Sequence, residues 1–222
     1  MYGLAFGYWL NLPIVIVTAI YTSEFIAGER AKGSFDLFST KPILRSFLVL
    51  SKTISFAIIS YIVTFIVYGL LFSVFSLAFI GFSFDAFRAV IDLFDIMHTY
   101  ILATWLFVMA VAAVTILFSA FTKRALFATF GSLAYFMGYG IGVSLISTFV
   151  PGTLGTLLSE QLSYVNVMTD AQVILVYWLT GEVKGIFQLT TLDPLLALAF
   201  LIAIIVTFFT IALITIETKD LL

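Results

Sequence analysis

Five stretches of the chain carry no Asp, Glu, Lys or Arg: Met1–Ser23, Thr53–Phe84, Ile96–Thr122, Ala125–Ser159 and Pro194–Ile216. Each exceeds the roughly 20 apolar residues that cross a bilayer as a helix. This pattern decides the class. The chain of 222 residues is 63% hydrophobic and only 10% charged, where soluble domains carry about 25% charge. Ten basic and twelve acidic side chains cannot clothe a core of this size in polar surface. A water-soluble enzyme, a disordered chain and a nucleic-acid binder are therefore excluded. The stretches lack the alternation of membrane barrel strands, and a helix satisfies its own backbone inside lipid. The expected fold class is an all-α integral membrane protein: one polytopic helical bundle over residues 1–222, with five transmembrane helices.

The placement of charge sets the orientation. The net charge of −2 says little by itself, but eight of the ten Lys and Arg fall on one side. Arg30, Lys32, Lys41, Arg45 and Lys52 lie in the loop 24–52, Lys123 and Arg124 in the turn 121–125, and Lys219 in the tail, against Arg88 and Lys184 on the other side. By the positive-inside rule the loop, the turn and the C-terminus face the cytoplasm. An odd number of spans then places Met1 outside. The N-terminal stretch has no basic n-region and no small-residue cleavage site, so it does not read as a signal peptide. Either the chain is N-out with five spans, or a span that belongs before Met1 is missing.

Two connectors are more than links. Phe84–Met97 spaces Asp85, Arg88, Asp92 and Asp95 at helical intervals opposite Phe84, Phe87, Val90, Ile91, Phe94 and Met97. It reads as an amphipathic helix lying flat on the outer surface, a polar connector or an outer lid. The outer segment 150–193 is long for a connector. It carries Pro151, Gly152, Gly155, Gly181 and Gly185 around apolar runs, and Ala171–Gly181 is too short to cross. Short re-entrant helices suit it. Asp193-Pro194 gives an N-cap followed by proline at the first helical position, the start of the last span.

The loop 24–52 carries the sharpest signal. Glu24, Gly28, Lys32 and Asp36 recur every four residues and share one face of a helix, with Lys32 and Asp36 as an i,i+4 pair. Ser39-Thr40-Lys41-Pro42 breaks that helix and starts the next one, with Pro42 near its first turn. Gly28-Glu29-Arg30-Ala31-Lys32-Gly33-Ser34-Phe35 mimics the spacing of a phosphate-binding loop, but Ser34 stands where the lysine belongs and no buried strand precedes it. This chain is expected to bind no ATP. With no cysteine, disulfides, thiolate nucleophiles and sulfur-ligated metals are excluded as well.

The order Glu24, Gly28-Glu29-Arg30, Gly33-Ser34, Asp36-Leu37, Ser39, Pro42-Ile43, Arg45 and Lys52 resembles the cytoplasmic loop of permease subunits of type-2 ATP-binding cassette (ABC) exporters. The layout agrees along the whole chain: a short basic turn, a long outer segment before the last span, and a short tail. That family usually has six spans and a cytoplasmic N-terminus, so the span expected before Met1–Ser23 is absent. The resemblance implies a permease in the plasma membrane that pairs with a second permease subunit, identical or different, and with separate nucleotide-binding ATPase subunits. ATP and Mg would be held by those subunits, and no cofactor by this chain. It implies a coupling loop at 24–52 in which Glu29, Arg30, Gly33, Asp36, Pro42 and Arg45 dock and transmit force. Gly138 and Gly142, spaced as G-x-x-x-G like Gly3 and Gly7, are candidates for close helix packing.

Two other functions are weighed against this. An ion-driven secondary transporter needs ionisable groups or broken helices near the midplane, often in two related halves. The sequence has no internal repeat and no carboxylate within a span, and His98, its single histidine, falls near the outer boundary. A membrane-embedded enzyme needs a nucleophile and base or a metal cluster. Glu160, Asp170 and Glu182 have no ligand spacing. A non-transport polytopic protein is the remaining alternative.

Overall fold

The computed structural model describes residues 11–33, 45–80, 84–150, 173–174, 177 and 193–219. Among these the regular structure is helical throughout. Helix α1 (Asn11–Ser23) runs into a π turn, Glu24–Gly28, and a last helical turn, Glu29–Ala31. Then follow α2 (Arg45–Ile80), α3 (Phe84–Phe121), α4 (Ala125–Phe149) and α5 (Pro194–Lys219). Arg45–Val67, Met97–Phe121 and Pro194–Thr218 are long and apolar enough to cross a membrane, and Ala125–Tyr139 is a shorter apolar helix. The chain is thus the polytopic helical membrane protein expected from its uncharged stretches.

Helix α3 is the central column, in contact with α1, α2, α4 and α5. Its span is 61% buried, against 11% for α2 and 22% for α5. The reason lies in its small side chains: Ala103, Ala110, Ala112, Ala113 and Ala120 are all buried, and small residues let neighbouring backbones come close where lipid supplies no hydrophobic drive for association. Around α3 one apolar cluster joins Phe25 and Ile26 to Val49, Phe56, Val108, Ile116 and Ile216. A second joins Val15, Phe107, Val111, Leu201 and Ile204. Ile174, between α4 and α5 in the chain, is buried in that second cluster, and most of the outer segment 150–193 lies outside the described residues.

Two sequence expectations change. Phe84–Met97 is not a separate helix lying flat; it continues without a break into α3, which runs 38 residues. At 1.5 Å per residue that is about 57 Å, well beyond the roughly 30 Å of hydrocarbon. Helix α2, described from Arg45, includes Arg45 and Lys52 as a lead-in to the span, and the expected start near Pro42 lies outside the described residues. The helix expected through Asp36 stops at Gly33. The start of α5 is as expected: the Asp193 carboxylate accepts the Leu195 N–H at 2.9 Å, and Pro194 opens the helix.

Candidate functional site

The ends of all five helices that carry the basic residues meet at one end of the bundle, and the segment after α1 lies among them. That segment stops where it does because of Gly33. Its φ of 70° is left-handed, a conformation that costs other L-residues roughly 1–2 kcal/mol. Gly33 N–H donates to the Arg30 carbonyl at 3.1 Å and Lys32 N–H to the Gly28 carbonyl at 3.1 Å, which satisfies carbonyls that the helix end would otherwise leave open. Lys32 turns back toward Glu24 at 3.9 Å, with both side chains largely exposed. The missing Cβ of Gly28 leaves the space in which the Glu24 carboxylate rests.

The π turn has a visible cause. In an α-helix the Ala27 N–H would donate to the Ser23 carbonyl four residues back. Instead the Ser119 hydroxyl of α3 enters between them: it accepts from Ala27 N–H at 2.8 Å and donates to Ser23 O at 2.8 Å. Ser119, Ser23 and Ala27 are all buried. Ser23 Oγ in turn donates to the Ile20 carbonyl at 2.8 Å and accepts from Thr129 Oγ1 of α4 at 3.0 Å. One turn below, Thr115 of α3 and Ser132 of α4 join their hydroxyls at 2.7 Å, both buried. The Thr115 hydrogen goes to the Val111 carbonyl at 2.8 Å, so Ser132 is the donor between the two.

Beyond the π turn, two neighbouring side chains tie the segment to different helices. Glu29 is paired with Lys52 of α2, Nζ to Oε1, at 2.5 Å. Arg30 Nη1 donates to the Ala120 carbonyl at the end of α3 at 2.7 Å, where a cation also meets the negative end of the helix dipole. The far wall is closed by α5, whose Glu217 Oε1 accepts the Ser46 N–H at 2.9 Å. That bond gives a partner to an amide in the first described turn of α2. Tyr21, Phe25 and Phe56 stack against one another on the α1–α2 side, with ring centroids 5.5 to 6.0 Å apart.

Of the residues singled out from the sequence, Glu29, Arg30, Gly33 and Arg45 gather at this end, while Asp36 and Pro42 lie outside the described residues. Glu29 and Arg30 face inward onto the spanning helices, and Ala31 and Lys32 are exposed. Gly138 and Gly142 meet no close neighbour: a Cβ on either has no described atom within 4 Å. The close approach is at Gly131 instead, where a Cβ would stand 2.9 Å from Phe118 Cδ1 of α3. Gly3 and Gly7, like Glu160, Asp170 and Glu182, lie outside the described residues. Sequence reasoning missed Ser119, Ser23, Thr129 and Glu217. A signal for the hydroxyls exists: Thr115 and Ser119 in α3, followed by Thr122 just past its end, and Thr18 and Thr22 in α1, recur at helical spacing. The arrangement ties the segment to α2 through Lys52, to α3 through Ser119 and Ala120, and to α4 through Thr129.

A family model for ABC-2 family transporter proteins matches residues 9–221. The chain belongs to that family. No curated protein sequence matches it. As a member of the ABC-2 transporter family it is a membrane component of transport, and the inward-facing pair Glu29 and Arg30 is where this transporter chain ties its first loop to its spans.

Proposed function

We propose that this chain is the permease subunit of an ABC exporter, moving its substrate outward across the plasma membrane with ATP hydrolysed by separate subunits. It pairs with a second permease subunit, its 24–52 loop and C-terminus face the cytoplasm, and the loop seats in a groove of the ATPase. The observation that carries this reading is the pair of anchors at the loop's root. Glu29 holds α2 through Lys52 and Arg30 holds α3 through the Ala120 carbonyl, so one pull on the loop moves two spans. The roles within the loop then divide. Glu29 and Arg30 transmit, while the exposed Lys32, together with Asp36 and Pro42, is left for docking. ATP and Mg belong to the partner, and this chain holds neither.

The test is purification of the tagged chain from its native membrane followed by identification of what accompanies it. A nucleotide-binding subunit is expected to co-purify. Asp36→Lys releases it, and Glu29→Gln retains it while lowering the nucleotide-driven movement of the spans. A well-expressed, stable chain that brings no ATPase contradicts the proposal.

A further inference from the structure

We propose that the π turn at Glu24–Gly28 is a register switch in series with the loop, and that Ser119 is the positioning residue that sets it. The inference rests on the transport reading above but concerns a residue outside the loop. A π turn holds one residue more than the α-helix around it, and single π turns inside α-helices mark functional positions. Here the extra residue is held by one side chain, since the Ser119 hydroxyl accepts from Ala27 N–H and donates to Ser23 O, both at 2.8 Å.

The exchange is balanced in hydrogen bonds. If the hydroxyl withdraws, Ala27 N–H and Ser23 O are the natural i,i−4 partners of an α-helix and bond each other. No amide or carbonyl of the turn itself is stranded by the change, and the ties of Glu29 and Arg30 are what hold the π register. The Ser119 hydroxyl can then turn to the carbonyl four residues back in its own helix, as the Thr115 hydroxyl does to Val111. Closing the π turn moves everything beyond it by one residue's worth of helix, about 100° of rotation and about 1.5 Å of rise. What lies beyond is the pair Glu29 and Arg30 with the Gly33 stop. In one register Glu29 faces Lys52 and Arg30 faces Ala120; in the other both turn away. A pull on the loop is thereby converted into release of α2 and α3 together rather than into a graded bend, as expected of packed elements with two discrete arrangements.

The chain has no cysteine, so an introduced pair is labelled cleanly. Ala31 and Lys123 are both exposed and neither belongs to the switch. Spin labels on Ala31→Cys and Lys123→Cys report the register as a distance, first in the purified chain without nucleotide. Ser119→Ala is expected to shift that distance by several Å, Ser119→Thr, which keeps the hydroxyl, to restore it, and Thr129→Val, which removes a neighbouring hydroxyl but not the bridge, to leave it in place. In the complex with its ATPase, vanadate-trapped nucleotide is expected to move the wild-type distance toward the Ser119→Ala value and to leave that variant where it is. A folded Ser119→Ala chain with the wild-type distance overturns the inference. So does a shift in Thr129→Val as large as in Ser119→Ala, which would mark mere loosening. A complex that hydrolyses ATP without moving the wild-type distance overturns it as well. Failure of the transport reading looks different: no ATPase assembles, while the comparison in the isolated chain still decides the switch.

Discussion

The guanidinium of Arg30 donates to the main-chain carbonyl of Ala120 at 2.7 Å, so a side chain from the first loop closes the end of the central helix. Hydrogen bonds to a charged partner contribute about 1.5–3 kcal/mol, and more is lost when a buried partner is stranded. Arg30→Ala is expected to destabilise the chain by about 2 kcal/mol, read as a lower midpoint on denaturation in mixed micelles. Arg30→Lys, which keeps a donor and the charge but not the planar fork, recovers part of it. An unchanged midpoint in Arg30→Ala would show that this bond carries no load.

Glu29 and Lys52 are the second tie, and their energy is smaller. The two side chains keep 19% and 33% of their exposure, and partly wet pairs are typically worth up to about 1 kcal/mol. A double-mutant cycle of Glu29→Gln and Lys52→Gln is expected to give a coupling energy of about 0.5–1 kcal/mol that shrinks as salt is raised. A coupling of zero at low salt would mean that the two charges act independently.

Gly33 stops the segment through a conformation that side chains resist. Gly33→Ala is expected to cost about 1–2 kcal/mol, and Gly33→Asn clearly less, because asparagine tolerates the left-handed region. Equal stability of both variants and the parent would require a φ other than the 70° observed.

Glycines in α4 separate by what surrounds them. Replacing Gly138 or Gly142 with alanine meets no described atom within 4 Å and gains up to about 1 kcal/mol of helix propensity. At Gly131 the same methyl meets the Phe118 ring at 2.9 Å, and overpacking costs about 1–3 kcal/mol against that gain. The Gly138→Ala chain is thus expected to be more stable than Gly131→Ala by roughly 1–3 kcal/mol. The reverse order would place the close helix approach at the G-x-x-x-G pair after all.

The bundle was legible in the sequence because charge is excluded from lipid: the uncharged stretches mark the helices, and Asp193-Pro194 fixes the start of α5 without help from the fold. The helix ends elsewhere were not legible. The Ser46 N–H at the first described turn of α2 is held by Glu217, 171 residues away, and no local signal announces that partner. Phe84–Met97 has the pattern of a surface helix, yet the backbone simply continues into α3, since periodicity does not say where a helix bends. Glu29 and Arg30 are neighbours in the sequence, but their inward direction depends on the π turn. That turn depends on Ser119, a lone hydroxyl in an apolar run. Gly138 and Gly142 share the G-x-x-x-G spacing, yet among the described residues the close approach in α4 is at Gly131.

The sidedness of the 24–52 loop tests the account most directly, because the docking, transmission and switching roles all need it in the cytoplasm. The exposed Lys32 in the cysteine-free chain is replaced with cysteine and probed with a membrane-impermeant maleimide. The account predicts no labelling of Lys32→Cys in intact cells and full labelling once the membrane is opened or in inside-out vesicles. Labelling in intact cells would put the loop outside, beyond the reach of any cytoplasmic ATPase, and would contradict the account at its root.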